Sequence, residues 1–400
     1  MSDRTNIKLP DDVQFILSRI HGRGYRAHIV GGSVRDYAIG RTVGDFDITT
    51  DATPLEIKEI FSDLRTVDTG IKHGTVTVIY NSVPYEITTY RVDGEYGDNR
   101  HPNSVDFTGD LADDLARRDF TVNAMCYNSS EGFIDLYGGL SDIDNRLIRA
   151  VGEPKKRFRE DALRILRALR FASVLDFDIE AETGSAIFGE AELMQNVSKE
   201  RIYVELMKLI GGVGAYRILS DYRSVMLGIM PELSKLVLPS EERFLALDSM
   251  DRLLSLFILG SDNPISDFSD FMKRMRSDNV SRISGEKTID ILINCSIKTV
   301  SDALMIMHRY DYGVTERAIK LGVELSIMDR SCLSLLTQAS HSGIPYKIRD
   351  LEIDGKMVKS LGYIGAEIGN ALEYALESVM LGVCKNTPDE LIRLLTEYRK

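Results

Sequence analysis

Apolar positions along the first hundred residues recur with helical spacing in some runs and with strand spacing in others. Between Leu9 and Gly24, Val13, Ile16, Leu17 and Ile20 stand at helical spacing, and Gly22 and Gly24 end the run before the apolar stretch Ala27–Val30. This predicts helix, turn and strand. Ser33–Ile39 is a second predicted helix, closed by Gly40. Asp45–Ile48 alternates with period two and predicts a strand, and Thr53-Pro54-Leu55-Glu56 is a capping box with proline at the first helical position. Thr75–Tyr80 and Val83–Arg91, rich in β-branched and aromatic residues, flank Asn81-Ser82 and predict an antiparallel hairpin. Beyond about residue 150, Lys155–Leu175, Glu200–Ile210 and Tyr216–Leu227 carry a helical period and strand-like runs nearly vanish. The pattern predicts an α+β chain, mixed in its first part and all-α afterwards, with a boundary near Gly152-Glu153-Pro154. No internal repeat, low-complexity tract or heptad series interrupts it.

The chain has 400 residues, 44% hydrophobic and 28% charged, which is room for two or more cores at roughly 100–200 residues each. A disulfide miniprotein and a disordered tail are excluded. Forty-nine Lys and Arg against sixty-one Asp and Glu leave a net charge of -12, the wrong sign for indiscriminate nucleic-acid binding. The distribution alters that picture. Residues 155–170 hold seven Lys or Arg against two acids, a net of +5, which leaves -17 for the rest. Four scattered cysteines, none in a CxxC, suggest neither a zinc ribbon nor a disulfide framework and fit a reducing, cytoplasmic compartment. No apolar run approaches the roughly 18 residues of a membrane span, so no membrane association is expected.

Asp45 and Asp47 sit two apart in a predicted strand, so both carboxylates leave one face and can share divalent cations. Mg²⁺ favours such hard oxygens and completes its shell with water and substrate phosphates. An EF-hand reading of Asp45–Glu56 fails, because Thr50 stands where Gly is needed and Pro54 interrupts the loop. Ten residues upstream of this pair, Gly31-Gly32-Ser33-Val34-Arg35-Asp36 ends an apolar strand and opens a helix, where backbone N–H groups can approach a triphosphate. The turn is neither a Walker loop nor a GxGxxG fingerprint. Glu86, inside the predicted strand Pro84–Thr89, is either part of a solvated strand face or a third metal ligand across the sheet.

Four motifs occur in order: GGSVRD, GDFDITT, RRDFTVNAM at Arg117–Met125, and EDALRILRALRFAS at Glu160–Ser173. Together they resemble the class II tRNA nucleotidyltransferase and bacterial poly(A) polymerase family, from about residue 25 to 235 and more loosely near the C-terminus. Within the family the pattern is most similar to the CCA-adding type, which builds the CCA end of tRNA from CTP and ATP without a nucleic-acid template. The resemblance implies a polymerase-β-like head at 1–152, then a helical neck that selects the base (153–213), a helical body (214–290) and a helical tail that binds tRNA (291–400). It implies that Asp45 and Asp47 hold catalytic Mg²⁺; Glu86, from its place in the strand rather than from the resemblance, joins them as a candidate third catalytic acid. Gly32 and Arg35 would contact the nucleotide's phosphates, Arg118 would meet the nucleotide, and Asp119 would accept from the ribose 2′-hydroxyl. In-line attack of a 3′-hydroxyl on an α-phosphorus agrees with two shared carboxylates, since one cation favours the alkoxide and another the leaving pyrophosphate.

Asp161, Arg164, Arg167 and Arg170 stand three apart among Leu163, Ile165, Leu166 and Leu169, a drifting polar stripe on one predicted helix. Alone it reads as a solvated, ion-paired face. Its similarity to the family's EDxxR motif makes it a nucleotide-binding surface in which Asp161 and Arg164 act as template. Cytosine and adenine both offer an amino donor beside a ring-nitrogen acceptor. Uracil and guanine offer a carbonyl beside an N–H, which an accepting Asp and a donating Arg oppose. Poly(A) polymerases are similar in the head, but the Glu160-Asp161 pair favours tRNA enzymes, and Arg91–Phe107 supplies the flexible loop that CC-adding relatives tend to lack. Full CCA addition therefore comes first and A-addition second, with a non-catalytic RNA-binding protein as the reading from another class. No His is followed by Asp, so no phosphohydrolase activity is expected. Gly362, Gly365 and Gly369 mark either a phosphate contact or ordinary helix packing. The sequence implies no particular oligomeric state.

Overall fold

The computed structural model describes residues 7–68, 70–94 and 104–399. The chain forms two compact units, residues 1–229 and 230–400. Most of the predicted Arg91–Phe107 loop, residues 95–103, lies outside the described residues.

In the first unit, helix α1 (Asp11–His21) buries Val13, Ile16, Leu17 and Ile20 as its period predicts. Strand β1 (Ala27–Val30) runs into Gly31 and helix α2 (Gly32–Ala38). Strand β2 (Asp47–Thr50) is followed by α3 (Pro54–Ile60), whose capping box between Thr53 and Glu56 forms in full. Strands β3 (Arg65–Val67), β4 (Thr75–Tyr80) and β5 (Val83–Thr89) come next. Then β6 (Arg91–Asp93) pairs with β7 (Val105–Phe107) as a separate antiparallel ribbon. Helix α4 (Leu111–Ala116), β8 (Met125–Asn128), β9 (Gly132–Asp135), α5 (Gly139–Asp144) and β10 (Leu147–Ile148) complete the mixed region. Its seven-stranded sheet has the order β3-β4-β5-β2-β1-β8-β9 and is antiparallel except where β2 runs parallel to β5. The β4–β5 hairpin turns at Asn81 and Ser82, both with positive φ.

Helices α6 (Pro154–Glu160), α7 (Leu163–Leu175), α8 (Ala181–Glu190), α9 (Lys199–Ile210), α10 (Ala215–Asp221) and α11 (Arg223–Ile229) follow, with β11 (Asp178–Ile179) pairing to β10. The second unit contains ten α-helices among its described residues, from α12 (Glu241–Ala246) to α21 (Pro388–Tyr398). Phe257 anchors its core by packing on Phe268 and Phe271, with ring centroids 5.5 and 5.2 Å away. Among the described residues no helix is long and apolar enough to cross a membrane.

Four local expectations change. Asp45 precedes β2 rather than lying within it, so the two acids do not share a strand face. The second hairpin strand stops at Thr89, and Arg91 begins the separate ribbon, because Tyr90 turns inward to full burial. The predicted helix through Glu160–Arg170 breaks at Asp161, whose backbone is extended (φ -136°, ψ 104°), so Asp161 ends α6 and Arg164 lies in the first turn of α7. Tyr222 likewise divides Tyr216–Leu227 into two helices. Near the C-terminus, Gly362 has φ +93° and a Cβ there would collide with the Arg399 guanidinium, which fits the packing reading. Gly365 and Gly369 face open space.

Candidate active site

Register sets the first half of the site. Val30, the last residue of β1, pairs with Asp47, the first of β2. The Gly31-Gly32 turn therefore leaves the sheet beside the Asp47 carboxylate. On the other side of β2, Ile48 pairs with Ile87, which brings Glu86 to the level of Asp47. Asp47 and Glu86 then border a cavity of about 230 Å³ whose walls also include Thr75, Arg91, Arg117 and Arg118. Gly31 (φ +77°) makes the approach of Arg118 possible, since a Cβ there would stand 3.2 Å from Arg118 Nη1.

Asp47 titrates above the usual carboxylate range. Lost hydration raises it most, the Arg118 guanidinium opposes this, and Asp45 adds repulsion. Asp45 is exposed and lies outside the cavity lining, but it is close enough to act on Asp47. Among the described residues no three or more His, Cys, Asp or Glu side chains gather into a metal cage. A hard cation held by one or two carboxylates and completed by phosphate oxygens and water fits this donor set, because it would relieve the Asp45–Asp47 repulsion.

The arginines facing this cavity are held from beneath. Asp114, fully buried on α4, accepts from Arg117 Nε and Nη2 at 3.0 and 2.6 Å and from Arg118 Nη2 at 3.2 Å. Thr49 Oγ1 donates to the same carboxylate at 3.2 Å. Burial would raise the Asp114 pKa, but Arg118 and Arg117 bring it below the ordinary value.

Arg35 donates through Nη1 to Asn123 Oδ1 at 2.6 Å and through Nε and Nη2 to Asp36. Asn123 Nδ2 in turn donates to Asp119 Oδ1 at 3.1 Å, which also accepts from the Phe120 backbone at 2.8 Å. Asp119 Oδ2 accepts from Arg167 Nε and Nη2 at 2.9 and 2.5 Å. Burial alone would raise the Asp119 carboxyl, yet Arg167 and Asn123 bring it down to about 2. Gly32, with Arg35 Nη2 3.6 Å from where its Cβ would stand, is uncrowded.

The second half lies where α6 meets α7. Asp161 Oδ1 accepts from the Leu163 backbone and Oδ2 from Arg201 Nη2, both at 3.1 Å. Arg164 is buried. It donates to Glu160 at 2.8 Å and, through Nη2, to the Arg117 carbonyl at 2.9 Å. Arg170 lies 3.6 Å over the Phe171 ring and pairs with Glu205 at 2.8 Å. Its burial lowers its pKa to about 10. The structure thus brings Asp47, Glu86 and Arg118 to one cavity, and links Arg35, Asp119 and Arg167 in one hydrogen-bonded series. Asp161, Arg164 and Arg170 hold ion pairs or backbone contacts instead of facing solvent.

Sequence reasoning missed Asp114, Asn123, Arg201 and Glu205. Two left a readable signal. Asp114 stands three and four residues before Arg117 and Arg118, and Glu205 interrupts the buried stripe Ile202, Leu206 and Leu209 of α9. Asn123 joins Asp119, four residues before it, to Arg35, 88 residues away, and Arg201 acts on Asp161, 40 residues away; these long-range partners left none.

Residues 27–149 match the profile of the poly(A) polymerase head domain, and residues 176–236 match that described as the probable RNA and SrmB-binding site of polymerase A. The chain is 36% identical to the CCA-adding enzyme of Lactobacillus helveticus, with 98% of each covered. It is 35% identical to that of Streptococcus thermophilus, with 96% of each covered. Its fold is similar to the crystal structure of the Bacillus stearothermophilus CCA-adding enzyme in complex with CTP, with a TM-score of 0.78, 28% identity and 98% of both chains covered.

Proposed function

The chain belongs to the CCA-adding enzymes, a family of tRNA nucleotidyltransferases, and on that premise we propose how its residues add C, C and A in turn to the 3′ end of tRNA from CTP and ATP, releasing pyrophosphate. The carrying observation is the Val30–Asp47 register, which starts the glycine turn at the edge of a cavity bordered by Val30, Asp47 and Arg118. In this reading the triphosphate lies along that cavity, its negative charge met by Arg118 and by the amides after Gly31. Arg35, anchored by Asn123 and Asp36, keeps the α2 end of the turn in place and faces the phosphates with Gly32.

Asp45 and Asp47 would hold Mg²⁺, with Glu86 at the cavity wall as the neighbouring acid. When bound, the cation supplies charge stabilisation for the attacking oxygen and for the leaving pyrophosphate. Asp119, ionised at neutral pH, accepts from Phe120, Asn123 and twice from Arg167, and would exchange one of these bonds for a ribose hydroxyl. Asp161 accepts from an exocyclic amino group and Arg164 donates to the adjacent ring nitrogen, which suits cytosine and adenine and opposes uracil and guanine. Residues 153–213 then act as the base-selecting neck, and the helices of 214–290 and 291–400 serve as body and tRNA-binding tail. Grip on the tRNA by backbone and shape suits a substrate class with one common form. Cytoplasmic residence belongs to this reading, supported by four cysteines that form no disulfide.

One assay tests it. tRNA transcripts ending before CCA, after C and after CC, each with CTP, ATP or both, are run beside a generic RNA. Completion of CCA on the first transcript is expected. Addition only after CC would mean an A-adding enzyme, long A tails on generic RNA a poly(A) polymerase, and no product a binding protein.

A further inference from the structure

Glu205 is a charged side chain in a place built for an apolar one. It stands on the core-facing stripe of α9, is 8% exposed, and faces α7, the helix packed against α9. Its carboxylate lies 2.8 Å from Arg170 Nε and 4.0 Å from Arg167 Nη1. Arg167, bound by two hydrogen bonds to Asp119, therefore hangs between two carboxylates, one in the nucleotide motif and one on α9. Arg170 is held more closely, its guanidinium 3.6 Å from the Phe171 ring centre where that of Arg167 is 5.3 Å away. At 32% side-chain exposure Arg167 is also the more open of the two.

Resting on the function proposed above, we infer that Glu205 is a specificity-determining positioning residue: it is the second seat for Arg167, which leaves Asp119 for Glu205 when the site takes the larger base. A site that must accept cytosine and then adenine needs two settings, because a purine carries a second ring. The setting with Arg167 on Asp119 keeps the guanidinium forward beside the nucleotide motif. The setting on Glu205 withdraws it toward α9 and leaves room. The move keeps Arg167 paired with a carboxylate, while Asp119 keeps its bonds from Asn123 and the Phe120 amide and takes the ribose hydroxyl in place of Arg167.

Separate kcat and KM values for CTP on transcripts ending before CCA, and for ATP on transcripts ending in CC, test this. Glu205→Gln removes the seat and keeps the shape. Glu205→Met/Arg170→Met removes the seat together with the buried cation that would lose its partner, so it keeps the fold if the glutamine variant does not. The kcat/KM ratio of ATP to CTP falls at least about tenfold in either variant, the cost of losing one charge-assisted contact, and the fall persists in the double variant. An unchanged ratio, with both nucleotides slowed by a common factor, overturns the inference and leaves Glu205 as the counter-ion of Arg170. A wild-type protein that adds no CCA overturns the function itself, which distinguishes the two failures.

Discussion

Asp114 lies directly beneath Arg118: its Oδ2 accepts from Arg118 Nη2 at 3.2 Å while Oδ1 holds Arg117. Asp114 is fully buried and both arginine side chains are largely covered, so replacing the acid with an amide leaves two cations without their shared anion. Asp114→Asn is expected to lose about 3 kcal/mol in denaturant unfolding. Nucleotide incorporation should fall as well, through a raised KM for both CTP and ATP. A variant as stable and as active as wild type would remove Asp114 from this role.

The glycine turn makes a sharper contrast between neighbours. Gly31 has φ +77° and its Cβ would crowd Arg118, whereas Gly32 has ordinary helical φ and the nearest guanidinium atom is 3.6 Å away. Gly31→Ala should cost about 1–3 kcal/mol and most of the activity. Gly32→Ala should keep the stability and lose less activity, and thermal melts with single-turnover rates compare the two. Equal effects would refute the backbone argument.

Asp119 supplies a pH signature. Its folded pKa, about 2, lies below the unfolded value of 3.8, so its stabilisation is present above pH 4 and is lost as pH falls through 4 toward 2. The gap in unfolding free energy between wild type and Asp119→Asn should contain a pH-dependent part of about 2 kcal/mol at pH 5–7 that closes in that window. A gap that is flat from pH 7 to 2 would contradict ionisation of Asp119.

At the α6–α7 junction, Asp161→Ala or Arg164→Ala should slow addition and relax the rejection of UTP and GTP. Arg164→Ala should also lower stability, because Arg164 bridges Glu160 and the Arg117 carbonyl. If both variants discriminate as wild type does, the protein is not the template.

Asp45→Ala and Asp47→Ala should each abolish incorporation with the melting temperature preserved, since neither side chain belongs to the packed core. Removal of divalent cations by a chelator should do the same reversibly. Cation-dependent transfer surviving in either variant would take that residue out of the catalytic set.

Local chemistry was legible without the fold. The α1 stripe, the Thr53–Glu56 capping box, the Asn81-Ser82 hairpin and the glycine turn all depend on residues a few positions apart, and each formed. The motif order was equally readable, and it carried the family. The break at Asp161 was hidden, because Glu160–Arg170 has good helical periodicity, while the Asp161 carboxylate turns to the Leu163 amide and to Arg201, 40 residues away.

The partners of Arg167, Arg170 and Arg201 were decided by tertiary structure alone, whereas Arg117, Arg118 and Arg164 pair with acids three or four residues away. A guanidinium reaches several ångströms and pairs with whichever carboxylate the packing presents, and those carboxylates are remote in the chain. Asp119 lies 48 residues from Arg167, Asp161 40 from Arg201, and Asn123 88 from Arg35. The sequence by itself determined which charges this protein has and on which motifs they sit. The fold decided that Arg118 faces a cavity beside Asp47, that Arg164 and Arg170 are buried in ion pairs, and that Arg167 stands between two acids. Burial makes each unpaired charge costly, so pairing is enforced by the packed structure, and where the partner is remote in the chain it leaves no trace in local spacing.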